Sequence, residues 1–395
     1  MKILACNAGS TSLKFKLFNM PGDNLLAEGR IERVGSRDDA IFRYLNPQKD
    51  VSVRKEKQPV PDYTSGIKMF LEYLTGTSGA IAHISEIEAV CFKTVLAKGF
   101  YNVHYLTGEV MHGMQEYMDI AGSHNGPYIS AINEFKALLP GTPMVGVFET
   151  AFHQTIPLER QLYGIPYEWY TQYGIRRMGY HGASHGYVSS QIRSLCGNHF
   201  RLISCHLGGS GSICAVLDGK SVDNSFGFSL HTGIMHAARV GDVDTSLFPF
   251  LMNRGLTPEE IMKGLTKQGG VLGISGISED MRYVEQAAVE GNKRALLAID
   301  VYCSHLIHYI GAYYADLGGL DYLVFTGGIG EKSDIVRRQV CSALNHIGIK
   351  IDEQKNLKHE RDISAAGSKV KVMVIPANEE LGIAQQAFEF IQKMK

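Results

Sequence analysis

Ile3-Leu4-Ala5-Cys6-Asn7-Ala8-Gly9-Ser10-Thr11-Ser12-Leu13-Lys14-Phe15-Lys16-Leu17-Phe18 opens the chain as a strand, a turn and a second strand. Ile3 to Cys6 is a short apolar strand and residues 7–12 are turn formers. Leu13 to Phe18 alternates with the period of two that a half-buried strand shows. The unit recurs about 200 residues later, near half of the 395-residue chain. There Leu202-Ile203-Ser204-Cys205-His206 leads through Gly208-Gly209-Ser210-Gly211-Ser212 into Ile213-Cys214-Ala215-Val216-Leu217, and Asp218-Gly219 makes another hairpin turn. A third turn of small residues, Thr326 to Gly330, follows the strand Tyr322 to Phe325 and opens a helix expected from Ser333. Two strand–turn–strand units half a chain apart predict duplicated α/β domains facing one another; two unrelated hairpins are the alternative. Helical patterns cover Pro258 to Leu265 and Met281 to His308. A domain change is expected near residue 150, after the strand Met144 to Phe148.

Composition narrows the function classes. Hydrophobic residues make up 45% and charged residues 20%, the balance of a globular protein. Lys plus Arg is 39 against 40 for Asp plus Glu, so no global field draws in nucleic acid or an anionic membrane, and an anionic ligand has to be held by local cations. The seven cysteines (Cys6, Cys91, Cys196, Cys205, Cys214, Cys303, Cys341) are odd in number and scattered without a C-x-x-C pair. Neither a disulfide framework nor a zinc knuckle is indicated. The apolar run at the start is too short for a signal peptide, and no stretch is read as the roughly 18 or more apolar residues that span a bilayer. A reducing cytoplasm is the expected location.

The P-loop pattern is absent. At the nearest miss, Gly219-Lys220-Ser221, Cys214 stands where the first glycine is required, and no G-x-G-x-x-G follows a strand. Three glycine- and serine-rich turns at strand ends remain. Backbone N–H groups in such turns converge on phosphate oxygens, and small side chains let the backbone approach closely.

The motifs resemble those of the acetate and propionate kinases. Asn7 to Lys14 is similar to that family's opening phosphate hairpin. Further stretches follow in the family's order over essentially the whole chain: Phe148-Glu149-Thr150-Ala151-Phe152-His153-Gln154-Thr155, Arg176 to His185, His206-Leu207-Gly208-Gly209-Ser210, Ser221-Val222-Asp223 and Ala238 to Asp244. The last are Gly273 to Gly276 with Asp280-Met281-Arg282, Phe325 to Glu331, and Pro376 to Leu381. The resemblance implies two actin-like (ribonuclease H-like) domains, mixed sheets flanked by helices, with Mg-ATP in the cleft between them. It places the N-terminal domain at 1–149, the C-terminal one at 150–382, and a helix 383–395 that returns to the first. It also implies a homodimer.

Phosphoryl transfer to a carboxylate brings one anion against another, so cations are needed at the meeting point. The resemblance assigns that role to Arg239, with His181 and His124 beside the transferring group and Glu149 and Lys93 at the reaction centre. A solvated salt bridge for Arg239 and a turn role for His181 are the plain alternatives. His181 and His185, at i and i+4, imitate a metal pair but have no third ligand. Asn7 and Glu379 match positions that organise Mg²⁺ through its hydration shell; a carboxylate at Glu379 is also favoured simply by the helix N-terminus. Ser10, Thr11, Ser12, Lys14, His206, Gly208, Gly209 and Gly211 match the phosphate-binding turns. Asp280, Met281 and Arg282 match the adenine and ribose segment, and Gly328, Ile329 and Gly330 the loop beneath the nucleotide.

Four departures fall on the acceptor side and the reaction centre. Lys93 stands where the family has an arginine, keeping the charge but losing the planar fork that grips a carboxylate bidentately. Glu149 replaces an aspartate, and misplacement by about 1 Å can cost about 10²-fold in rate. Gly209 replaces an asparagine. In the acceptor pocket Ser123, Tyr180 and Leu230 replace leucine, phenylalanine and proline, while Val95 is kept. Two explanations fit: an active kinase whose acid is larger or more polar than acetate, or a weakened relative that binds nucleotide without turnover. An actin-like ATPase that hydrolyses ATP without an acid is a third hypothesis, ranked last. Because Arg239, His181, Asn7 and Glu379 are all present, the expectation is an ATP-dependent kinase forming an acyl phosphate.

Overall fold

A computed structural model describes residues 1–9 and 11–394, with the side chain of Ser123 left out. The chain divides into two compact units: Met1–Gln154 joined by the residues from Asn378 onward, and Thr155–Ala377. The first break falls five residues beyond 149 (154 against 149), in the short helical turn Ala151–Thr155. The second falls five residues ahead of 382 (377 against 382), because the returning helix spans Glu379–Met394 and carries Gly382 inside it.

Among the described residues the first unit holds an eight-stranded sheet. Its strands are β1 (Lys2–Gly9), β2 (Ser12–Asn19), β3 (Asn24–Glu32), β4 (Ser36–Asn46), β5 (Val51–Val60), β6 (Ala89–Thr94), β7 (Val103–Tyr105) and β8 (Met144–Phe148). Their order is β5-β4-β3-β2-β1-β6-β8-β7. β1 to β5 form an antiparallel meander, and β6 and β8 add in parallel to β1. The opening hairpin is longer than its apolar core suggests, with Asn7 paired to Lys14 and Gly9 to Ser12. β1 and β8 read as continuous apolar runs because both of their faces are covered. The helix Glu379–Met394 packs on β1, β2, β6 and β8 and buries Ile383, Ala384, Ala387 and Ile391.

The second unit holds a five-stranded sheet among its described residues: β9 (Arg201–Leu207), β10 (Gly211–Leu217), β11 (Lys220–Asn224), β12 (Tyr322–Thr326) and β13 (Lys371–Val374). Their order is β11-β10-β9-β12-β13, with β9 to β11 antiparallel and β12 and β13 parallel to β9. The strand set β3-β2-β1-β6-β8 of the first unit has the same order and directions. The two hairpins are therefore corresponding parts of two actin-like units, and the reading as unrelated turns fails.

Two expectations change. The pattern over Met281–His308 is not one helix: Met281–Val289 and Lys293–Asp316 are separated where Gly291 takes φ 88° and Asn292 caps the second helix, accepting from the Arg294 and Ala295 N–H groups. The second helix is also long and apolar enough, at 24 residues with mean hydropathy 1.3, to meet the membrane-span criterion that no stretch was expected to meet. It is a core element instead, burying Ala298, Tyr302, Leu306, Ile310 and Tyr313 against β9, β10 and neighbouring helices.

Candidate active site

In the second unit the β9–β10 turn, the segment 237–239, residues 279–285 and the helix Gly327–Lys332 line one cavity of about 640 Å³, within the roughly 300–1,000 Å³ of small-molecule sites. The helix Gly327–Lys332 starts where the chain leaves β12. Gly327 sits at φ 77°, and a Cβ there would stand 2.8 Å from the Leu207 carbonyl oxygen, so only glycine lets the turn lie against β9. Of the residues expected around the nucleotide, Gly208, Gly209, Asp280, Met281, Arg282, Gly328 and Ile329 line this cavity, and so does Arg239.

Three expected contacts do not line it, because their groups brace the walls. His206 Nδ1 lies 2.8 Å from Ser184 Oγ. The Gly211 N–H donates to His236 Nδ1 at 3.2 Å. The Gly330 carbonyl accepts from Arg337 Nη1 at 2.8 Å, and Arg337 is fully buried with Asn356 and His359 as further partners. Conversely, Ala237, Thr266, Glu279, Glu285, Lys332 and Ser333 line the cavity without having been expected there. Glu285 had a signal: four residues after Met281, it shares that residue's helix face. Ser333 caps the helix Asp334–Ala343 by accepting from the Val336 N–H at 3.0 Å, and its hydroxyl donates to the Glu285 carboxylate. Burial raises the Glu285 pKa, and the Ser333 bond opposes that.

Arg239 shares the cavity with two other cations, Lys332 and Arg282, the latter paired with Asp280. Among the described residues no carboxylate lies within ion-pair distance of the Arg239 guanidinium. Burial lowers its pKa to about 10, which leaves it charged at neutral pH. Its field adds to burial in depressing His231 and His236, the latter to about 3. His236 is held neutral: Nδ1 accepts from Gly211, Nε2 faces the Thr232 carbonyl at 3.2 Å, and the ring stacks on Phe226. His181 is 9% exposed, and its ring centroid lies 4.2 Å from that of His206. Tyr180 is buried with its hydroxyl donating to the Phe228 carbonyl at 2.7 Å. The hydroxyl that tyrosine adds to phenylalanine thus bonds to backbone. Leu230 is buried nearby in sequence.

In the first unit Lys93, on β6, gathers two carboxylates. Its Nζ lies 2.9 Å from Glu149 Oε1 and 2.8 Å from Glu379 Oε2, and the three side chains are 16%, 5% and 15% exposed. Glu149 directly follows β8, and its N–H donates to the Thr94 carbonyl at the end of β6. Glu379 starts the returning helix. Burial pulls the Lys93 pKa down, but the two carboxylates outweigh it and the net shift is upward. Asn7 Oδ1 accepts from the Tyr128 hydroxyl at 2.8 Å, and its Nδ2 donates to Glu380 Oε1 at 3.4 Å. Lys16 approaches Glu380 Oε2 at 3.5 Å and donates to Asn378 Oδ1 at 3.1 Å. Tyr128, Lys16 and Glu380 were not singled out from sequence. Val95 is buried two residues beyond Lys93, and His124 lies exposed on the helix Met118–Leu138. Of the first phosphate turn, Thr11 is exposed with its carbonyl accepting from the Val34 N–H, Ser12 heads β2, and Lys14 faces Asn7. Ser10 lies outside the described residues, as does the Ser123 side chain.

Two actin-like units, one bearing a glycine-walled cavity of nucleotide size with an unneutralised arginine, define a phosphotransferase of the actin-like ATPase class. Residues 2–385 match the Acetokinase family, and the chain belongs to that family. It is 42% identical to an acetate kinase of Shouchella clausii over 97% of this chain and 98% of that one, and 42% identical to an acetate kinase of Treponema denticola over 99% and 100%. Among solved structures it is similar to the acetate kinase of Porphyromonas gingivalis (37% identity, TM-score 0.87, 99% of each chain). It is also similar to a propionate kinase of Francisella tularensis (34%, TM-score 0.89, 98% of each). The protein is an ATP-using enzyme whose phosphoryl acceptor is a carboxyl group.

Proposed function

We propose that the protein transfers the γ-phosphoryl group of ATP to the carboxylate of a short-chain acid such as acetate or propionate, giving ADP and an acyl phosphate in one reversible in-line step. The observation that carries this reading is Arg239: a half-buried guanidinium without a carboxylate partner among the described residues, on the wall of the glycine-lined cavity. Such a cation calls for an anionic ligand, and two anions that must meet need their repulsion cancelled where they touch. Arg239 neutralises the transferring group, with His181 of the same unit as a further donor. Gly208, Gly209, Gly328 and Ile329 let backbone approach the nucleotide, while Met281 and the Asp280–Arg282 pair flank its base and sugar.

Lys93 and Glu149 orient the acceptor. An ammonium has three donors; two face Glu149 and Glu379, and the third is directed to the acid's carboxylate. Two carboxylates against one ammonium leave one excess negative charge, the sign that a divalent cation requires. Glu379 and Asn7 are thus fit to hold Mg²⁺ through its water shell, and the ion would supply further neutralisation of the phosphates. A homodimer and a cytoplasmic location belong to the same proposal. They are supported by the exposed Tyr167, Trp169 and Tyr173 on the helix Tyr167–Tyr173 and by the seven free cysteines.

The test incubates the protein with Mg-ATP, hydroxylamine and acids from formate through butyrate to hydroxy- and dicarboxylic acids, and reads the acyl hydroxamate. Signal with acetate or propionate is expected, and Arg239→Met should lower it by about 10³-fold or more. Silence across the panel from protein that binds ATP overturns the reading.

A further inference from the structure

His181 occupies the left-handed region, at φ 58° and ψ 29°, at the head of the helix Gly182–Cys196, and its side chain does not cap that helix. A non-glycine residue there is strained, and surrounding contacts must hold it. Those contacts are visible. His181 Nδ1 lies 2.8 Å from Ser212 Oγ. The same oxygen lies 2.8 Å from His185 Nε2, and His185 Nδ1 lies 2.9 Å from Ser204 Oγ. Ser212, His185 and Ser204 are all fully buried. Ser204, His185, Ser212 and His181 thus form one continuous line of hydrogen bonds.

A hydroxyl carries one proton and a neutral imidazole one N–H, so when Ser212 donates within the line its bonds all run in the same direction; if Ser212 accepts from both rings, the His181 proton lies on Nδ1. One direction has Ser204 donating to His185 Nδ1, His185 Nε2–H donating to Ser212, and Ser212 donating to His181 Nδ1. It leaves the His181 proton on Nε2. The opposite direction puts that proton on Nδ1 and leaves Nε2 an acceptor. Phosphoryl oxygens are acceptors too, so only the first direction gives the transferring group a donor. We propose that Ser212, His185 and Ser204 are positioning residues that hold neutral His181 as the Nε2–H tautomer, presenting a hydrogen-bond donor to the phosphoryl group in transfer. None of the three needs to touch substrate. The i, i+4 histidine pair is in this reading two stations of one proton-ordering line, joined through Ser212. The inference rests on the carboxylate-kinase reading of the site, so its test begins with a measurement that does not depend on activity.

In protein labelled with ¹⁵N-histidine, the His181 ring is identified among the fifteen histidines by its loss in His181→Gln. At neutral pH its Nδ1 should show the shift of an unprotonated nitrogen and Nε2 that of an N–H. A proton on Nδ1 alone overturns the proposal, whatever the enzyme turns over. Ser212→Ala should then mix the two tautomers and lower kcat about tenfold with KM for ATP unchanged. Ser204→Ala, two bonds further away, should shift the same resonances with a smaller loss. If Ser212→Ala folds and leaves both the His181 shifts and kcat as they were, the line positions nothing. If it does not fold, the unmodified protein and Ser204→Ala still decide. Absence of acyl hydroxamate from the unmodified protein would reject the kinase reading itself and leave the tautomer assignment standing.

Discussion

Lys93 shows how a single side chain can hold a site together. Its ammonium is wedged between Glu149 and Glu379, contributed by strand ends and a helix start that are up to 286 residues apart. Removing one partner of a mostly buried ion cluster strands the other charges, at about 3–5 kcal/mol. Lys93→Met should therefore lower the urea midpoint of the first unit by about that free energy. Adding Glu149→Gln should return part of the loss, since it removes one of the stranded charges. The sign of the pH dependence follows from the direction of the shift. A raised lysine pKa contributes stability that is fully present below the unfolded value, about 10.5, and is lost only as pH climbs through the higher folded value. The Lys93→Met deficit should thus stay constant between about pH 6 and 10. A deficit that vanished within that window, or a double variant worse than the single, would show that the cluster does not hold charge as described.

At the scale of elements, the helix Glu379–Met394 matters most to the first unit, because it carries Glu379 and Glu380 at its head and an apolar face behind them. Ile391 is 3% exposed on that face, and Phe390 sets its ring edge-on to Tyr105 at 5.0 Å. Ile391→Ala should cost about 2–5 kcal/mol in thermal or urea unfolding, whereas exposed Lys393→Ala should stay within about 0.5 kcal/mol; equal effects would mean that the face is not packed. Elements of this kind were partly legible. The two hairpins could be read because alternation and glycine turns are local signals, and β8 was read to the residue. The break between Met281–Val289 and Lys293–Asp316 was missed although Gly291-Asn292 is a stop followed by a cap. Apolar periodicity on both sides outweighed two residues of turn chemistry. Glycine is a poor helix former, so the sequence of the helical turn Gly327–Lys332 reads as a loop, yet Gly327 at φ 77° is what admits the turn beside β9.

At the scale of the whole molecule, repetition could be read and convergence could not. Matching strand–turn–strand units revealed two sheets of the same order, and the motifs marked four of the cavity's walls. Nothing local to Thr266 or Lys332 says that they meet those walls, just as no spacing says that Lys93, Glu149 and Glu379 meet. Such contacts belong to the fold and not to any window of sequence. The cavity's assembly from separated segments has a direct consequence for the second unit. If one nucleotide fills it, ADP must slow amide exchange together at 208–209, 237–239, 279–285 and 328–333, although these lie on four different elements. At a ligand concentration of 100 times Kd the gain in stability of that unit should be about 2.7 kcal/mol. Arg239→Met should weaken the protection at all four segments, because a single bound ligand links them. Protection of only one segment, or of segments outside this set, would place the nucleotide elsewhere and leave Arg239 without its anion.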